Sequence, residues 1–188
     1  MRLDLISLLY ACDFIDTLVV DAAKLIIEAL DKGGKVLICG NGGSAADAQH
    51  FAAELSVRFE KERRPLPAIA LGMDYAYMTA VANDYGFSFC FSRRVESLGR
   101  SEDVLVAIST SGTSVNVRLA AEQAKKKGMK VLSLTGNAKG LNLATVTALT
   151  EFSDVEIRIP STSTARIQEV HTLIIHEICR KIDDHFAK

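Results

Sequence analysis

No stretch of this sequence reaches about 18 consecutive apolar residues, which excludes a membrane-spanning helix of ordinary length. The N-terminus has Arg2 and Asp4 ahead of a mixed segment instead of a long apolar core, so no secretory leader is expected. Basic charge is not in surplus either: 22 Lys and Arg stand against 23 Asp and Glu, a net charge of −1. Duplex binding rests on many cationic contacts to phosphate, and this balance gives no electrostatic case for it. Only four cysteines are present and no two form a C-x-x-C pair. Cys12, Cys39, Cys90 and Cys179 lie in or beside apolar segments and read as buried reduced thiols, in keeping with a reducing cytosol. Linkers, internal repeats and low-complexity tracts are also lacking. The expectation is a soluble, unprocessed, cytoplasmic chain with no nucleic-acid or membrane partner.

At 188 residues, 48% hydrophobic and 24% charged, the chain is long and apolar enough to bury a proper core. Its organising stretch is Val36–Leu55. An apolar run is stopped by Gly40, Gly42 and Gly43, Ser44 is placed to cap, and a helical segment follows. Such a strand-to-helix turn leaves backbone N–H groups open to a ligand.

Apolar residues at helical intervals from Asp4 to Leu30 predict one long or two broken amphipathic helices, stopped by Gly33 and Gly34. Their apolar face must pack on the sheet or on another subunit. Further strands are expected within Pro65–Leu71, where the prolines precede a short buried strand, and at Asp103–Ser109, Lys130–Gly136 and Val155–Pro160, with a weaker connection around Leu141–Thr147. Helices are expected at Tyr75–Ala82, Phe87–Leu98, Val115–Lys127 and Thr164–Asp184. Nearly continuous apolar strands separated by helices indicate a parallel sheet covered on both faces, a three-layer α/β/α sandwich.

Ligands in such sheets bind beyond the carboxyl ends of strands, where two turns stand out: Gly40–Ser44 and Ser109–Ser114. Ser109, Thr110, Ser111, Thr113 and Ser114 surround Gly112 before a helix, supplying hydroxyls and N–H donors suited to a phosphomonoester. A cap needs only one or two hydroxyls. Gly40–Ala45 also satisfies G-x-G-x-x-A, but a dinucleotide fold wants an acid about 20 positions on, and here Asp74 comes about 30 on. His50 and Glu54, one turn apart on the helix, share a face and could bind a metal or move protons. The last helix offers Gln168, His171 and His176. Gln168 and His176 lie about 12 Å apart along the axis and roughly 80° around it, so one straight helix does not easily bring both to one ion.

Together Gly-Asn-Gly-Gly-Ser, His-Phe-Ala-Ala-Glu, Arg-Arg-Pro-Leu-Pro-Ala-Ile-Ala-Leu, Ala-Asn-Asp-Tyr-Gly-Phe, Ile-Ser-Thr-Ser-Gly, Leu-Thr-Gly and Ala-Arg-Ile-Gln-Glu-Val-His, in this order and spacing, resemble the phosphoheptose isomerases, sugar isomerase (SIS) domain proteins. The resemblance implies one SIS domain over residues 1–188 with a five-stranded parallel sheet of flavodoxin-like order, and an N-terminal helical segment, 1–32, used in oligomer packing. It implies isomerisation of sedoheptulose 7-phosphate to glycero-manno-heptose 7-phosphate through an enediolate, for bacterial cell-surface glycans such as lipopolysaccharide.

By the same resemblance Asn41, Gly42, Gly43, Asn83 and Asp84 contact the substrate, and Ser109, Thr110, Ser111 and Ser114 hold its phosphate. Glu54 and His176 form the acid/base pair, Glu54, Arg58 and Gln168 add substrate contacts, and His50, Glu54, Gln168 and His176 match zinc ligands, Zn²⁺ being the implied cofactor. A homotetramer with active sites at its interfaces is implied. Ala165 stands before Arg166 where some members carry an acid, whose contribution is absent here or supplied elsewhere. The rival readings are a non-catalytic SIS relative that binds a replication initiator, of the DnaA initiator-associating type, and a sugar-phosphate-sensing domain. Both would use the frame without the Glu54 and His176 pair.

Overall fold

The computed structural model describes residues 2–12, 15–137 and 149–187, with the side chains of residues 2–4 left aside. The weak connection expected around Leu141–Thr147 lies outside the described residues. Five strands, β1 (Val36–Gly40), β2 (Ala68–Ala70), β3 (Val104–Ser109), β4 (Lys130–Gly136) and β5 (Val155–Ile159), form one parallel sheet in the order β2-β1-β3-β4-β5. This is the flavodoxin-like order, in which the connections change direction between β1 and β3.

The helices are α1 (Arg2–Tyr10), α2 (Ile15–Asp31), α3 (Gly43–Ser56), α4 (Tyr75–Asp84), α5 (Cys90–Leu98), α6 (Val115–Lys126) and α7 (Thr164–Phe186). The strands are apolar on alternate sides because each side meets a helical layer. Val36, Ile38, Val106, Ile108, Leu132 and Leu134 join residues of α2, α3 and α7 in one core. Leu37, Cys39, Leu105, Ala107 and Val131 join α5 and α6 in the other. β1 and β3 are buried throughout, as central parallel strands are.

The N-terminal helical segment divides into two helices. α2 buries Val19, Ala22, Ala23, Ile26, Ala29 and Leu30 against the sheet and α7, so the sheet accounts for its apolar face. α1 leaves Ile6, Leu9 and Tyr10 exposed. Gly33 (φ 81°) ends α2, and the Gly34 N–H donates to the Ala29 carbonyl at 2.9 Å.

Several boundaries differ from the sequence reading for identifiable reasons. β2 is the short strand Ala68–Ala70, after Pro65 and Pro67 as expected, since prolines lack the N–H a ladder needs; it stops before Leu71, and Ile69 is exposed, so this edge strand is only partly buried. Phe87–Leu98 divides into a 3₁₀ turn, Phe87–Phe89, followed by α5. A second 3₁₀ turn, Leu149–Phe152, precedes β5. α4 runs on to Asp84 and α7 to Phe186. Cys39, Cys90 and Cys179 are buried free thiols, and Cys12 is buried as well. Among the described residues no helix is long and apolar enough to cross a membrane.

Candidate active site

The turns after β1 and β3 are neighbours because their strands are: Gly40 pairs with Ile108 at the carboxyl ends. Between them lies a cavity of about 270 Å³, lined by Asn41, Gly42, Gly43 and Ser44 from the first turn, Ile108, Ser109, Thr110 and Ser114 from the second, and Thr164 and Gln168 from α7. Ser111 lines an adjoining cavity of about 400 Å³ together with Thr110, Asn137 and Thr164.

The first turn is shaped by glycine. Gly42 is the N-cap of α3 at φ 56°, a left-handed conformation that other residues rarely adopt. Ser44 is therefore not the cap: it lies inside the first helical turn and is buried. Gly43 packs directly beneath the Gln168 amide, where any Cβ would overlap it. The first N–H groups of α3 have no partner within the helix, and with the helix dipole they make the turn attractive to negative charge.

In the second turn the Ser114 side chain makes no capping bond to α6, although Ser114 is the N-cap. Its hydroxyl lies 3.0 Å from Ser109 Oγ, which is also 3.3 Å from Ser111 Oγ, while the Thr113 N–H and hydroxyl donate to Ser111 Oγ at 3.2 and 3.1 Å. Hydroxyls that satisfy one another at a positive helix end, and not the helix itself, form a cluster able to turn toward anionic oxygens.

α3 and α7 pass side by side with matched stations along their seam. Gln168 meets Gly43, Thr172 donates to Asp47 Oδ1 at 3.3 Å, and His176 Nε2 stands 3.4 Å from His50 Nε2. His50 Nε2 is also 2.9 Å from Glu54 Oε1, and the His176 ring stacks on Phe59 at 5.5 Å. Past these, Arg63 donates to the carbonyls of Glu54 and Leu55 at 2.7 and 2.9 Å and to Asp183 Oδ1 at 2.6 Å, with both side chains of that ion pair buried. Burial raises the Asp47 carboxyl above its ordinary range, and Asp47 Oδ2 has no hydrogen-bond partner among the described residues. His171, fully buried, donates through Nε2 to the Thr135 carbonyl at 3.0 Å, and burial lowers its pKa to about 4.

The structure thus gathers Asn41, Gly42, Gly43, Ser109, Thr110, Ser114 and Gln168 around one cavity, and His50, Glu54 and His176 in a second cluster. The second cluster does not line the cavity: His50 lies about 10 Å and Glu54 about 16 Å along α3 from Gly43. Within one chain Gln168 and His176 occupy separate stations, as their spacing on one helix predicts. Arg58 is exposed in the loop after α3. Asn83 and Asp84 are exposed at the end of α4, bonded to each other at 2.8 Å and outside the cavity lining.

Two imidazoles, a carboxylate and an amide are donors that zinc accepts, and nitrogens about 2.0–2.1 Å from one tetrahedral ion stand about 3.4 Å apart, the separation of His50 and His176. Glu54 is bonded to His50, and among the described residues no three His, Cys, Asp or Glu side chains are gathered as a metal-holding group. The donor types and the histidine pair fit the ion; the remaining donors would have to come in by rotation or from another chain.

Thr164, Asn116 and Arg63 belong to the site or its support and were not singled out in the sequence. Thr164 ends a hydroxyl run, Ser161–Thr164, before a helix, the same signal that marked Ser109–Ser114. Asn116 and Arg63 carry no such signal.

The SIS domain family model matches residues 16–136. The chain is 53% identical over 88% of its length, and 85% of the relative's, to a phosphoheptose isomerase of Campylobacter jejuni. Among solved structures it resembles the phosphoheptose isomerases of Neisseria gonorrhoeae, with TM-score 0.84 and 43% identity over 97% of this chain and 95% of that one, and of Francisella tularensis, with TM-score 0.80 and 42% identity over 98% and 99%. With the sheet order, the two ligand turns and the identity all extending along the chain, it belongs to the phosphoheptose isomerases of the SIS domain family.

Proposed function

We propose that this chain is an aldose-ketose isomerase that converts sedoheptulose 7-phosphate to glycero-manno-heptose 7-phosphate. The observation that carries the reading is the single cavity between the β1 and β3 turns, where hydroxyls of Ser109, Thr110 and Ser114 face the amide-rich turn Asn41–Gly43. Phosphate is held by the serine turn and the N-terminus of α6, with Ser111 joining from the adjoining cavity. Asn41, Gly42, Gly43 and Gln168 then meet the polyol, whose hydroxyls both donate and accept.

The reaction moves a carbonyl from C2 to C1. A base takes a proton from C1 while an acid protonates the C2 oxygen, which gives the enediol through its enediolate; the C1 hydroxyl then gives up its proton as the proton held by the base returns to C2. Glu54 is the carboxylate base and His176 the acid, held by His50 and Phe59 respectively. His50, Glu54 and His176, with Gln168, are the residues that would hold Zn²⁺. When bound, the ion polarises the carbonyl oxygen and stabilises enediolate charge.

Because the acid/base cluster does not line the same chain's cavity, we infer a homo-oligomer, a tetramer by the resemblance, in which one subunit's cluster serves another's cavity. Asn83, Asp84 and Arg58, exposed in one chain, would reach substrate across the same interface. A cytoplasmic enzyme supplying heptose for lipopolysaccharide is the setting this chemistry suits.

The test is turnover of sedoheptulose 7-phosphate by the purified protein and by Glu54→Gln and His176→Ala. Losses of about 10²–10⁴-fold in kcat are expected for each. Full activity in both variants would remove the assigned roles, and no turnover by the unaltered protein would remove the reading. Metal analysis before and after chelation tests the ion.

A further inference from the structure

Asn41 and Asn116, 75 residues apart, face each other where the β1 turn meets the first turn of α6. Their side-chain amides close a pair: Asn41 Nδ2 donates to Asn116 Oδ1 at 2.8 Å, and Asn116 Nδ2 donates to Asn41 Oδ1 at 2.8 Å. The orientation of both amides follows from a third group. The backbone N–H of Val117 donates to Asn116 Oδ1 at 3.0 Å, a bond that only the oxygen accepts. The other Asn116 N–H points to Cys90 Sγ at 3.5 Å.

Asn116 is therefore fully used inside the protein. Two N–H groups go to Asn41 and Cys90, and two lone pairs receive Asn41 and Val117. It is buried, 4% exposed, and does not line the cavity. Asn41 does line it and spends only one N–H and one lone pair on Asn116. Its second N–H, on the nitrogen flank of the amide, and its second lone pair, on the oxygen flank, take no partner among the described residues.

We propose that Asn116 is a positioning residue for the isomerase: it locks the Asn41 amide so that the nitrogen flank offers only a donor and the oxygen flank only an acceptor to the polyol hydroxyls of the sugar phosphate. A free Asn side chain flips and rotates, and each orientation offers the ligand a different pattern. Locking it removes that choice before the ligand arrives. The identity of the ligand rests on the function proposed above; the locked amide does not.

The experiment is a double-mutant cycle on binding of sedoheptulose 7-phosphate by calorimetry, with turnover and melting temperature recorded in parallel. Asn41→Ala and Asn116→Ala are each expected to weaken binding about tenfold, and the double variant no more than either single, because Asn116 acts through Asn41. Asn116→Asp repeats the cycle if the alanine variant does not fold: it keeps the acceptor for the Val117 N–H and removes the donor to Asn41. Unchanged binding in the Asn116 variants, or penalties that multiply to about a hundredfold in the double, would overturn the proposal. Binding without turnover in the unaltered protein would instead overturn the isomerase reading and leave the cycle to be read on binding alone.

Discussion

His176 Nε2 lies 3.4 Å from His50 Nε2, and this contact ties α7 to α3 across 126 residues of chain at the third station of their seam. Glu54 joins through His50, so the three titratable side chains of this region form one connected group.

If that group serves the cavity of another subunit, two inactive variants can rescue each other. Glu54→Gln and Ser109→Ala chains, each nearly inactive alone, should regain activity when unfolded together and refolded, because mixed oligomers contain sites with one intact cavity and one intact cluster. Turnover of the mixture checks this, with sedimentation confirming assembly. Activity no greater than the mean of the two variants would place both halves in one chain.

Gly43→Ala tests the approach of the two helices at the first station. A Cβ there overlaps the Gln168 amide, which must leave the cavity wall. Misplacement of a binding group by about 1 Å can cost on the order of 10²-fold. We expect kcat/KM to fall by at least about tenfold, measured by steady-state kinetics, while the far-ultraviolet dichroism is kept.

Asp183→Asn breaks the buried pair with Arg63 and leaves a guanidinium without its partner in the interior. Asp183 also accepts the N–H groups of Glu60 and Lys61 at 2.8 Å, so the loop from α3 to β2 is held by the same carboxylate. Breaking such pairs costs about 3–5 kcal/mol. Denaturant unfolding should show that loss, and Arg63→Met should lose comparably, since two helix-end carbonyls would lose their donor.

His171 gives the fold an acid-sensitive point. Its pKa falls from 6.5 to about 4 because burial disfavours the charged ring. The unfolded chain binds the proton more readily, so this contribution is complete above about pH 6.5 and fades as pH falls toward 4. The difference amounts to about 3 kcal/mol. Unfolding free energies at pH 7 and pH 5 should differ less in His171→Gln, which gains no proton, than in the unaltered protein.

The central strands were readable because they are apolar throughout. β1 and β4 have the boundaries their apolar runs predict, and the order of strand and helix leads to the covered parallel sheet. Pro65 and Pro67 mark where β2 can begin, since a ladder does not start on residues without an N–H. Glycine and hydroxyl density mark the two turns that line the cavity. Of the partners of His50, Glu54 is legible from its i,i+4 spacing, whereas nothing in local spacing couples position 50 to 176. Arg63 stands in a charged stretch, Arg58–Arg64, that reads as solvated surface, yet it is 4% exposed because Asp183, far along the chain, neutralises it. Asn116 looks like any polar residue in a first helical turn until Asn41 is found opposite it.

α7 covers one side of the sheet with Ile167, Val170, Ile174, Ile175 and Ile178, and it follows every strand in the chain. A ribosome therefore releases the whole sheet, with α2 and α3, before the last part of its cover. During that interval the surface that α7 will bury is open to water, and the nascent chain is most open to aggregation and to chaperones. Gln168 and His176 arrive on the same helix, so a polypeptide stalled before α7 would have its strands complete, one cover of its sheet unfinished, and both the cavity wall and the partner of His50 missing.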